Sequence, residues 1–375
     1  MMLEREWPSE RNSAAANIGQ TRYSHSFAYD LDLILDGVPE TLVSSEDRLA
    51  FRRLALRLPS LDGGLEVRLG VAGAPVDLSV CADASVPSSL ASLAGREPDS
   101  ALDPALLLKP GWAAVPGLAA AILDRHPPYE EPGASKVWLE FDRAAFVEET
   151  PLPCLMVTRE LSPEEPVLLE LDRSYLAATG ALPGPGMRLA AEAALAGLGR
   201  EVTVSSVGAL VGRPGSPARL RVDAKTETPV RLIEALTAPW GETLATPLRH
   251  ADQLAARLTP YQSATLDIYE DRPPRIGLPI HCTIIPRANP AVFPELETAL
   301  DVLSAEGLCR PEVAAALRAW PGWMHDPRSV GGFPYHSPAS PGGLLLRVMT
   351  QFKLAFDAAG RLEAKAYIGT LRRCR

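Results

Sequence analysis

The 375-residue sequence is short of several features, and each shortage excludes a class of protein. Only five cysteines occur, Cys81, Cys154, Cys282, Cys309 and Cys374, an odd number without CxxC spacing. That sets aside a disulfide scaffold and a thiolate zinc site, and it predicts free thiols in a reducing compartment. No stretch approaches the ~18 consecutive apolar residues of a membrane-spanning helix. The opening MMLEREWPSERNSAAANIGQ also lacks the apolar core of a signal peptide. Basic residues are outnumbered, 37 Lys and Arg against 46 Asp and Glu, for a net charge of −9. A basic face for nucleic acid is therefore not expected. These absences predict a cytoplasmic protein with no membrane span and no nucleic-acid partner.

What the sequence does contain is repetition. A strand–turn–strand pattern recurs five times with helical stretches between the copies, an αββα order. Two copies align without gaps, GAPVDLSV from Gly73 and GSPARLRV from Gly215, and Pro75/Pro217, Leu78/Leu220 and Val80/Val222 match at the same offset of 142 positions. The hairpins are predicted at 65–69 with 76–80, 136–142 with 152–158, 202–211 with 218–224, 265–269 with 275–284, and 347–356 with 362–368. Residues 1–25 read as a flexible leader, and 26–375 as one αββα-repeat barrel domain. An extra strand is expected at 27–35. Helices are expected at 46–58, where Ser44 and Asp47 have capping-box spacing, from 87, at 116–124, 187–198, 229–236, 248–258, 294–305 and 311–320. Segments 160–186 and 321–343, rich in Pro and Gly, read as loops. Trp320, Trp323 and Met324 are candidates for core filler or for a cap on a barrel mouth.

Strand residues alternate between faces. In each hairpin one face is apolar, as in Leu65, Val67 and Leu69, or Phe352, Leu354 and Phe356. The other carries Glu66, Arg68, Trp138, Glu140, Arg219, Arg221, Asp223, Asp267, Tyr269, Arg275, Lys353, Glu363, Lys365 and Tyr367. Helices between the hairpins would cover the apolar face. The fold class expected is α+β: five αββα repeats forming a ten-stranded antiparallel barrel with a polar lumen and an outer ring of helices. An open sheet with a solvated polar face is the alternative. Confined charges need partners, water or a ligand. Arg219 and Arg221 can pair with Asp223 and Asp267, and Glu363 with the neighbouring lysines. His281 and Cys282 are adjacent on a strand and so face opposite ways, which excludes a Cys–His nucleophile.

This architecture, with Lys365-Ala366-Tyr367 as a Lys-x-Tyr pair on the last strand, Lys353 on its hairpin partner and Arg219-Leu220-Arg221 nearby, resembles the barrel of the soluble aromatic and indole prenyltransferases. The resemblance covers roughly 44–370. It implies transfer of a prenyl group from an isoprenoid diphosphate to an aromatic or peptide acceptor inside the lumen. Arg219, Arg221, Arg275, Lys353, Lys365 and Tyr367 would bind the diphosphate, Trp138 and Tyr269 would shield the allyl cation, and Glu140 or Glu66 would act as base toward the acceptor. The aspartate-rich DDxxD signature is missing, since Asp267-Ile268-Tyr269-Glu270-Asp271 is not that motif. No cofactor or metal site is therefore expected, and no motif argues for magnesium. Penteins also repeat a β-rich unit five times, but with an unpaired third strand that this sequence does not show. A different class of function is a non-catalytic barrel that binds a peptide or small molecule as an accessory protein in a biosynthetic pathway.

Overall fold

Alternating apolar residues give strands that cannot bury their greasy face alone; here the strands pair around a closed ring and helices cover the outward apolar face. The computed structural model describes residues 27–372 except 60, 72, 74–75, 84–86, 98–101, 126–134, 149, 162–166, 199–201, 225–231, 233, 235–236, 259–262, 285–292 and 326–343. The strands are β1 (Asp62–Arg68), β2 (Asp77–Asp83), β3 (Ser135–Phe141), β4 (Cys154–Leu161), β5 (Val202–Ala209), β6 (Ala218–Ala224), β7 (Ser263–Ile268), β8 (Arg275–Ile284), β9 (Gly322–His325), β10 (Leu344–Phe356) and β11 (Leu362–Arg372). Each is hydrogen-bonded to its neighbour in the order β1 to β8, then β10 and β11. β11 then pairs antiparallel with β1, from Gly64 opposite Gly369 to Arg68 opposite Lys365. That last pairing closes a ten-stranded antiparallel barrel and excludes the open sheet. Bulges at Thr158/Leu161, Val204/Ser206 and Met349/Gln351 supply the local bend that closure needs. Short β9 pairs with the start of β10.

Five hairpins place all their turns at one end of the barrel. The matched glycines Gly73 and Gly215 have φ of +56° and +77°, in the left-handed region that costs glycine nothing. In the β10–β11 turn, the Asp357 carboxylate accepts from the backbone N–H groups of Ala359 and Arg361 at 3.0 and 3.2 Å.

The helices are α1 (Phe27–Gly37), α2 (Ser45–Ala55), α3 (Pro87–Leu93), α4 (Pro110–Ala113), α5 (Val115–Arg125), α6 (Val167–Thr179), α7 (Pro185–Ala196), α8 (Ala245–Ala255), α9 (Pro294–Ala305) and α10 (Pro311–Ala319). Their apolar sides join the outward strand residues in one buried cluster that holds Leu31, Phe51, Leu78, Leu139, Leu266 and Phe352. Ser44 caps α2 by accepting from the Asp47 N–H at 3.1 Å. Trp112 packs on Phe141, ring centroids 5.6 Å apart, and its Nε1 donates to the Pro151 carbonyl at 2.8 Å.

Three expectations are corrected. Residues 27–35 form helix α1 rather than a strand. Phe27, Tyr29, Leu31 and Leu33 alternate like a strand, but Ile34 and Leu35 are buried too, and burial on two sides, with Asp32 half-buried and Asp36 exposed, is satisfied by a helix between barrel and β9. The loop expected at 160–186 contains α6, whose Leu171, Ser174, Tyr175 and Ala178 recur at helical spacing between proline-rich flanks. The loop at 321–343 begins with β9; its remainder, like the leader at 1–25 and most of the helix expected at 229–236, lies outside the described residues. Trp320 is core: it is buried, and its Nε1 donates to the Val348 carbonyl at 2.9 Å.

Close approach between β4 and β5 depends on Gly208, where a Cβ would run into the Leu155 carbonyl oxygen and the Met156 backbone. Gly208→Ala is expected to cost about 1–3 kcal/mol by forcing the strands apart. A urea midpoint equal to that of the parent protein would refute this account.

Candidate functional site

The inward face of the barrel is polar because every second strand residue points there while its neighbours pack under the helices. Two rows across the strands define the turn-side half. On β6, β7 and β8, Arg219, Asp267 and Arg275 stand directly opposite one another. On β10, β11 and β1 the row is Lys353, Lys365 and Arg68. The first row alternates in charge, and Arg219 pairs with Asp267 within it. The second is three cations side by side, an arrangement that is destabilising unless acids reach it from elsewhere.

They do. Arg219 donates from Nε and Nη2 to the two oxygens of Asp267 at 2.6 and 3.1 Å, and from Nη1 to Glu140 at 2.9 Å. Arg213 comes in from the β5–β6 turn, gripping Asp142 with two bonds of 2.6 and 2.9 Å and reaching Asp267 at 3.2 Å. Lys365 donates to Glu66 and lies 3.6 Å from Asp77. Arg68 bridges Asp77 at 3.1 Å and Glu363 at 3.0 Å, and Arg275 also donates to Glu363. The Asp77 carboxylate accepts besides from the Arg143 backbone N–H at 2.9 Å.

Lys353 stands apart. Only 9% exposed, it makes no ion pair among the described residues. Its stem lies flat over Gly277, where a Cβ would strike the Lys353 Cε and the Thr265 hydroxyl. It borders a void of about 10 Å³ that is also lined by Glu66, Arg219, Thr265, Asp267 and Lys365. That is room for about one water molecule, so the turn-side half of the lumen is nearly filled by its own ion pairs. Toward the helical connections the wall carries Trp138, Thr158, Arg221, Asp223, Gln351 and Tyr367, all half-buried. Arg221 lies 3.5 Å from Asp223.

Electrostatics follow from these partners. Burial lowers the Lys353 ammonium to about 7, and the Arg219 guanidinium adds to that; Glu66, Asp267 and Glu140 only partly oppose them. Burial pushes the Glu66 carboxyl up, but Lys365 and then Lys353 more than reverse this and hold it well below the usual range. The Asp77 carboxyl goes the other way, to about 6. Burial raises it, the nearby Lys365 lowers it, and the Glu66 charge raises it again. The Tyr367 phenol is raised well above its ordinary value by burial and by the Glu66 charge, so it stays a hydroxyl donor. Asp267, despite burial, is held far below the carboxylate range by Arg219 and Arg213.

The sequence-derived residues divide into groups. Arg219, Arg275, Lys353, Lys365, Glu66 and Glu140 meet in the turn-side half, Trp138 and Arg221 line the connection side, and Tyr367 stands opposite Glu66 and hydrogen-bonds it where the two halves meet. Tyr269 is not among either group. It lies just past β7 at the turn-side mouth, where the Arg272 guanidinium sits 3.8 Å over its ring. Trp138 stands in the middle of β3, away from the turn that carries Tyr269. The pairing of Arg219 with Asp267 and of Arg221 with Asp223 follows the ion-pair reading of the sequence. Glu363 instead serves Arg68 and Arg275. Two participants escaped the sequence reading: Arg213, in an Arg-Pro-Gly-Ser turn that looked only like a turn, and Asp77, whose strand position faced inward but whose two cationic neighbours come from β1 and β11. Among the described residues no three His, Cys, Asp or Glu side chains converge as a metal site requires.

The sequence matches no family model and no curated protein. Among solved structures the chain is similar to AnaPT from Neosartorya fischeri, at 11% identity over 93% of each chain with a TM-score of 0.49. It is similar to NotF in complex with brevianamide F and DMSPP, at 10% identity over 96% of this chain and 99% of that one, TM-score 0.47. A second structure, of NotF prenyltransferase, aligns at 10% identity over 91% of both chains, TM-score 0.42. The closed barrel described above rests on strand pairing in this chain and not on these likenesses.

Proposed function

We propose that the barrel binds an isoprenoid diphosphate in its lumen and transfers the prenyl group to an aromatic or peptide acceptor. The observation that carries this reading is Lys353, a buried ammonium without a carboxylate of its own, beside Lys365 and Arg219; the void there holds about one water, so a diphosphate enters only by displacing the carboxylates those two now hold. A buried cation of that kind is relieved by an anion. Ionisation of the allylic C–O bond puts further negative charge on the departing diphosphate, which fixed cations in a dry site stabilise. The allyl cation then bonds to the acceptor, whose proton passes to a carboxylate. Glu140 and Glu66 are the expected bases. Asp77, with a carboxyl at about 6, holds a proton more readily than Glu66, which Lys365 and Lys353 keep low.

The linkage has a sign. A bound diphosphate favours charged Lys353, so its pKa rises on binding. Affinity is expected to be full below pH 7 and to fall as pH rises above about 7, with proton uptake on binding at pH 8. Calorimetry with dimethylallyl and geranyl diphosphate in buffers of different ionisation enthalpy checks this. Lys353→Met is the informative variant, because it strands no carboxylate; it should abolish saturable binding. Mass spectrometry of candidate acceptors then tests transfer. If no diphosphate binds at millimolar concentration, the enzymatic reading fails.

One observation favours the second reading, a barrel that binds a peptide or small molecule without catalysis. Arg68, Arg213, Arg219, Arg275 and Lys365 are already neutralised by built-in carboxylates. In that case a neutral or zwitterionic ligand binds at the connection side, and diphosphate does not compete with it.

A further inference from the structure

At the turn-side mouth the barrel opens into a second cavity of about 680 Å³, within the size range of small-molecule sites. Arg68, Glu363 and Arg275 form its floor, and Arg275 also lines the small void beneath, so this ion-paired layer divides the mouth from the lumen. The cavity wall is mixed, apolar at Val71, Leu308 and Leu362 and cationic at its arginines.

Four arginines on that wall, Arg68, Arg272, Arg275 and Arg361, face two carboxylates, Asp357 and Glu363. Glu363 engages Arg68 and Arg275, and Asp357 engages the Arg361 guanidinium at 2.8 Å. Arg272 has no ion pair among the described residues; its Nη2 reaches only the Pro214 carbonyl, at 3.5 Å. Its guanidinium is laid on the Tyr269 ring at 3.8 Å. Stacking of this kind fixes the planar fork in place while leaving its edge donors for a planar anion.

We propose that this cavity binds a small monocarboxylate with an apolar body, whose carboxylate pairs with Arg272. A carboxylate there supplies the counter-charge that Arg272 lacks. A dianion would meet the Asp357 and Glu363 carboxylates on the same wall. The fork geometry suits a carboxylate in two parallel hydrogen bonds, and the apolar body lies against Val71, Leu308 and Leu362. This site does not depend on the lumen reading, since the Arg68–Glu363–Arg275 layer lies between them.

The test uses the full-length protein and calorimetric titration with N-acetyltryptophan, its uncharged amide and inorganic phosphate. The acid is expected to bind saturably. The amide should bind at least about tenfold more weakly, the scale of one charge-assisted hydrogen bond. Arg272→Ala should lose the acid to the same extent, and Arg272→Lys should restore it only in part. Arg272 is exposed, so an unchanged urea midpoint for each variant verifies the fold. Lys353→Met should leave this binding intact. Four outcomes overturn the proposal: no saturable binding of the acid at millimolar concentration, equal binding of acid and amide, tighter binding of phosphate than of the acid, or loss of binding in Lys353→Met but not in Arg272→Ala.

Discussion

Asp267→Ala is expected to destabilise the protein by about 3–5 kcal/mol, the scale for breaking a buried ion pair by removing one partner. Asp267 is where the β6–β7–β8 row and the turn residue Arg213 converge; it accepts from Arg219 at 2.6 and 3.1 Å and from Arg213 at 3.2 Å. Removing it leaves Arg219 with Glu140 and Arg213 with Asp142, so two guanidiniums lose part of their satisfaction at once. Urea unfolding at pH 7 reads the effect, and a loss under about 1 kcal/mol would show that water or rearranged acids replace the carboxylate at little cost. The pH dependence follows from the direction of the shift. A carboxyl held low in the folded state contributes its full stability above the unfolded pKa of about 4, and loses it only as pH falls toward the folded value. The substitution Asp267→Asn keeps the shape but not the charge, and should recover only a minor share.

The opposite sign is expected at Lys353. Its ammonium is buried and sits at about 7 in the folded protein, against about 10.4 for an unfolded lysine. Between those values the unfolded chain holds a proton that the folded chain has released, so stability rises with pH through that window. Below pH 7 both states are charged and the folded state carries the whole cost. Lys353→Met should therefore stabilise the protein at pH 6, by on the order of 2–5 kcal/mol, and the gain should shrink steadily toward pH 9.5. Denaturant midpoints across that range decide it. A Met variant that is less stable than the parent at pH 6 would mean that Lys353 is held by Glu66, Asp267 and Glu140 more strongly than burial opposes it. A group that weakens the fold in the absence of ligand is what a binding residue looks like in stability data.

The ring of strands was legible because its signal is local. Alternation at Val137, Leu139 and Phe141, or Leu362, Ala364 and Ala366, fixes which face is outward, and short turns fix which strands are neighbours. Helix α1 was not legible, because an eleven-residue segment buried on two sides satisfies both the two-residue and the 3.6-residue period. Helix α6 was hidden by its proline-rich flanks. The inward-facing residues were legible as a set, since facing is dictated strand by strand. Their partners were less so. Lys365 meets Glu66 and Asp77 only because the ends of the barrel join, and no local pattern reports that Arg213 folds back from its turn onto Asp142. Tyr269 was placed inward by extrapolating the alternation one residue past the end of β7, where the strand has already given way to the turn.

The bond from Lys365 to Glu66 spans 299 positions of sequence. A nascent chain paused before β11 has left the ribosome would hold β1 and β10 as two bare edges, with Glu66 and Asp77 facing each other and no lysine between them. Closure of the ring, and the Lys365 ion pair with it, is thus withheld from every shorter translation product, and such products would be the species most in need of a chaperone.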